Sequence, residues 1–169
     1  MIRPTESLAL PDLSDFVRVD PDERKPLRAI VALKKAAYRG GLDEDAPEAY
    51  LKDTFYCFEH QRRQELNHAS SIVFQEATNE FAGYCLVSLW EELPLIYDVA
   101  VHPDFRRHGL GRYMLRRAIG ALEPFFPVIR LFVTAGNEAE HLYAGLGFLS
   151  GDEYAHLVYE NDYEKERTT

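Results

Sequence analysis

The sequence predicts an α/β fold of the mixed α+β kind, with one twisted, mixed central sheet flanked by helices on both faces. Three observations carry this expectation. Short apolar segments come first in a run and then alternate with amphipathic ones, the order of a single sheet whose later strands are joined by helices. "FAGYCLVSLW" (81–90) is apolar almost throughout, as a strand covered on both faces must be. From Gly109 onward, Leu110, Met114, Leu115, Ala118, Ile119 and Leu122 fall on one side of a helix, with Arg112, Arg116 and Arg117 on the other.

In chain order, residues 1–14 are punctuated by proline and read as a loosely docked N-terminal extension. The domain follows over 15–161, and a charged, frayed tail over 162–169. "FVRVD" is a short strand. Pro26 opens a helix that Gly40 and Gly41 close, with Leu27, Ile30, Val31 and Leu33 inward. After the acidic loop "GGLDEDAPE", Asp45 and Glu48 form a variant capping box. The helix they start runs through Tyr50, Leu51, Phe55 and Phe58 towards Leu66. "SIVFQE", "FAGYCLVSLW" and "LPLIYDVAVH" are strands, the helix from Gly109 comes next, and "VIRLFVT" is a further strand. "NEAEHLYAGL" is a short helix and "DEYAHLVYE" a last strand.

Composition sets the bounds. A chain of 169 residues, 46% hydrophobic and 28% charged, is long enough for one domain with a proper core. No apolar run reaches the ~18 residues of a membrane span and no signal peptide is visible, so the expected location is the cytoplasm. A net charge of -9 argues against nucleic acid and suits a cationic substrate. Cys57 and Cys85 lie among apolar neighbours, as small core residues do. The six histidines form no ligand spacing, so no metal is expected.

One corner departs from the acidic whole. In "VHPDFRRHGLGRYMLRR" an apolar strand leads through R-R-H-G-L-G into the amphipathic helix. The first amides of a helix lack internal partners, and the helix dipole adds positive potential there. Gly109 and Gly111 keep side chains away from those amides, while Arg106, Arg107 and Arg112 supply charge-assisted donors. The pattern suits a phosphate-holding turn; the alternative is a solvated basic helix face whose glycines merely make a tight turn. A dinucleotide fingerprint is excluded because Met114 stands at the third glycine, and no G-K-[ST] of a Walker loop exists.

The turn, with "GNEAEHLYAGLGF" after the next strand, resembles the GCN5-related N-acetyltransferase (GNAT) family. The R-x-x-G-x-G signature is met by Arg106, Gly109 and Gly111, and the L-Y-x-x-x-G-F ending by Leu142, Tyr143, Gly147 and Phe148. The resemblance is close from Leu93 to Phe148 and rests only on element order from Phe16 to Trp90. It implies the GNAT fold and transfer of an acetyl group from acetyl-CoA, as acyl donor, to a primary amine by direct attack. On that basis the pyrophosphate lies on the amides of Arg107, His108, Gly109, Leu110, Gly111 and Arg112. The pantetheine arm pairs with Val99, Ala100 and Val101 like an added strand.

The resemblance also implies roles for three further residues. Tyr143 assists the departing sulfur, or is an aromatic packed on its short helix. Asp98, a charge inside "LIYDVAV", is base or substrate anchor, or else a structural carboxylate; Glu91 and Glu92 are alternative bases. Asn137 bonds the CoA arm, caps the following helix, or does both. The acceptor is a small-molecule or peptide amine, expected to be cationic and drawn by Asp43, Glu44, Asp45 and Glu48. A homodimer is left open. The competing reading is a non-catalytic acyl-CoA-binding sensor or scaffold of the same fold.

Overall fold

The computed structural model describes residues 1–22, 26–60 and 63–153. Its sheet is built from β1 (Ile2–Pro4), β2 (Phe16–Val19), β3 (Ser71–Gln75), β4 (Phe81–Trp90), β5 (Leu93–Val101) and β6 (Val128–Leu131). The spatial order is β1-β6-β5-β4-β3-β2, with β5 and β6 parallel and every other neighbouring pair antiparallel. Helices α1 (Leu27–Tyr38) and α2 (Pro47–His60) cover one face. Helices α3 (Gln64–Ala69) and α4 (Leu110–Leu122) cover the other, and α5 (Ala139–Ala144) follows β6.

The amphipathic pattern of α4 accounts for much of the larger core. Leu110, Met114, Leu115, Ile119 and Leu122 are each at most 1% exposed, and burying such a side chain is worth roughly 1.5–3 kcal/mol. Beneath them β4 and β5 pair along their whole length. Gly83 permits this closeness: a Cβ there would lie 2.9 Å from the Ala100 carbonyl oxygen.

Two irregularities in the strand pairing shape the centre. Leu86 pairs with Asp98 but Val87 with Ile96, so Tyr97 is the extra residue of a β-bulge. The bulge turns Tyr97 and Asp98 together towards the α1–α2 face, while Ile96 and Val99 pack on the α4 side. Just beyond it, parallel pairing with β6 stops after Leu95–Arg130 and Ile96–Leu131. Residues 98–101 therefore have β4 on one edge and no strand on the other among the described residues.

Three expectations need correction. The first residues are no loose arm: β1 is the edge strand beside β6, the Met1 ammonium donates to the Leu131 carbonyl, and buried Arg3 reaches the Leu146 carbonyl and Glu6. The helix drawn towards Leu66 is two helices, because Arg63 is extended; Leu66 belongs to α3 and packs on the opposite face of the sheet from α2. The Asp45 cap binds the Ala46 amide instead, at 2.7 Å, and Pro47 starts α2. The strand expected over 152–160 and the tail over 162–169 lie outside the described residues but for Asp152 and Glu153, which form no strand.

Candidate functional site

The basic turn joins β5 to α4. A single 3₁₀ turn over Pro103–Phe105 leads to Arg107 at φ 67° and Gly109 at φ 80°. A left-handed residue is needed immediately before the helix, and glycine adopts it without strain. No atom lies within 4 Å of a Cβ built on Gly109, so conformation and not crowding selects glycine there. The amides of Leu110, Gly111 and Arg112 have no hydrogen-bond partner among the described residues; the first bond of the helix runs from the Tyr113 amide to the Gly109 carbonyl. These are the orphan donors expected of an anion-holding turn. Arg107, His108 and Arg112 are exposed around it. Arg106 points elsewhere, donating to the Ala37 carbonyl at 2.8 Å and so tying α1 to the turn.

The turn opens onto the gap between β5 and β6. Val99 and Val101 are half-buried and Ala100 is buried along its edge. Tyr143, from α5, is 8% exposed and packs edge-on against Phe148. Its hydroxyl has no hydrogen-bond partner among the described residues. Burial pushes that hydroxyl up to about 12, with the charges of Cys85, Asp98 and Asp43 adding to the shift. Tyr143 therefore holds its proton throughout the physiological range.

Asp98 meets a denser environment than its sequence position suggests. Its Oδ1 accepts from the Tyr38 hydroxyl at 2.7 Å, and its Oδ2 from the Tyr84 hydroxyl at 3.0 Å and the Lys34 ammonium at 2.7 Å. Lys34 also pairs with Asp53 at 3.1 Å, and Asp53 accepts from Tyr97 at 2.6 Å. Burial depresses the Lys34 ammonium, but the carboxylates of Asp98 and then Asp53 outweigh it and raise the group overall. Burial, then the Asp98 charge, raises Tyr38 and Tyr84 well above the usual phenol range. Sequence reasoning missed Lys34, Tyr38 and Tyr84. The available signal was a lysine on the inner stripe of α1, four residues after Ile30 and four before Tyr38.

The remaining candidates separate. Asn137 caps α5, its Oδ1 accepting from the Ala139 amide at 2.9 Å, while its Nδ2 donates to Asp43 at 2.6 Å. Asp43 also accepts from the Thr134 hydroxyl at 2.6 Å. The α1–α2 loop is thus strapped to the β6–α5 loop. Glu44 accepts from the Gly40 amide, and Glu48 lines an outer groove with Arg28, Val31, Pro47 and Leu51. Glu91 and Glu92 form the β4–β5 hairpin tip, both at positive φ, and Glu91 pairs with Arg130 at 3.2 Å. At about 3.3 Å per residue, Glu92 lies roughly 20 Å along β5 from Asp98. Among the described residues no three His, Cys, Asp or Glu side chains group to hold a metal ion, and no described helix is long and apolar enough to cross a membrane.

Comparison with known proteins places this geometry. The mycothiol acetyltransferase of Kineococcus radiotolerans is 29% identical over 152 residues, covering 83% of this chain and 45% of its own length. The ribosomal protein bS18 alanine N-acetyltransferase of Salmonella typhimurium is 36% identical over 74 residues, 43% of this chain and 50% of its own. The chain thus spans about half the length of these curated relatives. The crystal structure of the ribosomal-protein-S18-alanine N-acetyltransferase from Escherichia coli has the same fold, with a TM-score of 0.60 at 19% identity over 81% of this chain and 79% of that one. A model of the acetyltransferase (GNAT) family matches residues 34–148, which contain the turn, the strand gap and Tyr143. The chain belongs to the GNAT acetyltransferase family.

Proposed function

We propose that this chain is an acetyl-CoA-dependent N-acetyltransferase acting on a primary amine of a small molecule or peptide. The observation that carries the reading is that, among the described residues, three features occur around the end of β5: unpaired amides at Leu110–Arg112, an unpartnered strand edge at 98–101, and Tyr143, whose hydroxyl is unbonded and which shares a core cluster with Val99 and Val101. The first suits a pyrophosphate and the second an extended amide-bearing arm. The third suits a leaving thiolate and has no use in a pure binding module. When bound, acetyl-CoA supplies the activated acyl group as a thioester.

The chain's own groups do the rest. The Leu110, Gly111 and Arg112 amides fix the anionic end, and Arg107 and Arg112 add charge. Val99, Ala100 and Val101 orient the arm, and a backbone N–H near Ala100 or Val101 polarises the acyl carbonyl. Tyr143 Oη holds the proton for the departing sulfur. Asn137, already capping α5, can turn its amide nitrogen from Asp43 to the arm. The chain's net charge of -9 favours approach of a cationic acceptor.

The test measures thiol release from acetyl-CoA across a panel of amines, beside calorimetric CoA binding. Amine-dependent thiol release supports the enzyme. Binding heat without thiol release for any amine would assign the chain to the non-catalytic class.

A further inference from the structure

Two exposed aromatic rings stand where the sheet forks. The last residues paired between β5 and β6 are Ile96 and Leu131, so Tyr97 and Phe132, which follow them, stand on the two lips of the gap. Ile129, Leu131 and Val133 pack into the α4 core, and alternation turns Phe132 to the opposite face. Tyr97 packs on that same α1–α2 face. Val87 and Leu89 also pack into the α4 core, which turns Trp90 the same way as Phe132. The two rings meet edge to face, with centroids 6.1 Å apart. Trp90 is 52% exposed and Phe132 59%. Single exposed aromatics are ordinary, whereas adjoining rings beside a site offer apolar area that a ligand can cover.

Charge complements the rings. The Lys34 ammonium is shared between two carboxylates, Asp98 and Asp53, so the three side chains together carry one excess negative charge. Asp53 is 51% exposed and accepts from the Tyr97 hydroxyl, which brings that excess to the α1–α2 side of the same lip.

We infer that Trp90 and Phe132 determine acceptor specificity: they receive an apolar group of the acceptor, whose ammonium approaches along Asp53. The inference rests on the acetyltransferase reading above. An arm leaving the Leu110–Arg112 amides and running back along residues 101–98 brings its acyl end to the fork. The α4 side of the fork is filled by Ile96, Leu131 and the core around them. The acceptor therefore meets the acyl carbon from the α1–α2 side, beside Tyr97 and Phe132. The substrate class is a cationic primary amine carrying an aromatic or bulky apolar group, borne by a small molecule or by the N-terminal residue of a peptide.

Trp90 is the single tryptophan of the chain, so its emission reports on this cradle directly. CoA-loaded protein is titrated with phenethylamine. A saturable blue shift is expected, as the phenyl ring displaces water from the indole; ethylamine should produce none. Phenethyl alcohol, which lacks the charge, should bind several-fold more weakly by calorimetry. Values of kcat/KM are then compared for phenethylamine against ethylamine, and for phenylalanyldiglycine against triglycine. The apolar member of at least one pair should lead by ~10–10²-fold, the effect of burying one such ring. The pair that shows the lead tells a small amine from a peptide. Phe132→Ala and Trp90→Ala should each cut the lead about tenfold, and Phe132→Leu should keep most of it. Equal kcat/KM within both pairs would overturn the inference, as would a lead that survives both alanine variants or an emission unmoved by an acceptor that turns over. A saturable shift without thiol release from any amine would instead remove the acetyltransferase reading and leave the cradle as a binding site.

Discussion

The Lys34 ammonium stands 2.7 Å from Asp98 Oδ2, with side-chain exposures of 3% and 10%. Two charges buried this deeply stabilise only as a pair, since each is costly alone in a poorly solvating interior. The pair ties the middle of α1 to the bulge of β5, which places the strand edge facing the β5–β6 gap.

Removing one partner should therefore do more harm than the loss of one contact. Lys34→Met is expected to cost about 3–5 kcal/mol, because it leaves the Asp98 charge uncompensated. Urea unfolding of Lys34→Met, Asp98→Asn and the double variant checks this. The double variant should be less destabilised than the sum of the singles, whereas additive losses would show that the two groups do not act as a pair.

Alkaline pH should weaken the same network. Lys34, Tyr38 and Tyr84 are all raised in the folded protein, so their contribution is fully present below their ordinary values near 10 and is lost as pH climbs through the folded values. Unfolding free energy should be flat through pH 9 as far as these groups are concerned and fall beyond about pH 10. Ultraviolet titration of the tyrosines should show some of them ionising only with unfolding. Early, reversible ionisation of all ten would contradict the arrangement.

Glu91 and Glu92 carry positive φ at 50° and 59°, in a two-residue hairpin turn that favours Asn-Gly. Glu92→Gly should relieve strain and stabilise by about 0.5–1 kcal/mol. Turnover should be unchanged, because the tip is remote from the strand gap. A large loss of kcat in the stabilised variant would restore Glu92 as a candidate base.

Much of this architecture was legible in the sequence. The run from Leu93 to Phe148 has local patterns strong enough to fix β5, the turn, α4 and Tyr143, because periodicity and glycine placement act over short range. What escaped depends on contacts distant in sequence. β1 has only three residues, and its place at the edge follows from pairing with Arg130, Ile129 and Val128. The break before α3 comes from packing on the opposite sheet face, which helical periodicity does not encode. The Asp98 partners escaped for the same reason: a carboxylate in an apolar strand announces a partner without saying which, and here a lysine from α1 reaches it across 64 residues.

Tyr143→Phe removes only a hydroxyl that has no partner among the described residues, so folding and CoA affinity should barely change. If that hydroxyl serves the leaving sulfur, kcat should fall ~10²-fold or more under conditions where chemistry limits the rate. Equal kcat values for the two proteins would leave Tyr143 a packing residue.

The seat of the donor on the basic turn is the claim on which everything else stands, and amide NMR during a CoA titration tests it most directly. The account predicts that the Leu110, Gly111 and Arg112 amide resonances shift most, as hydrogen-bonded anion contacts replace water. It also predicts that the edge amides of residues 99–101 shift with them. Saturable binding that leaves the three turn amides unmoved would contradict it.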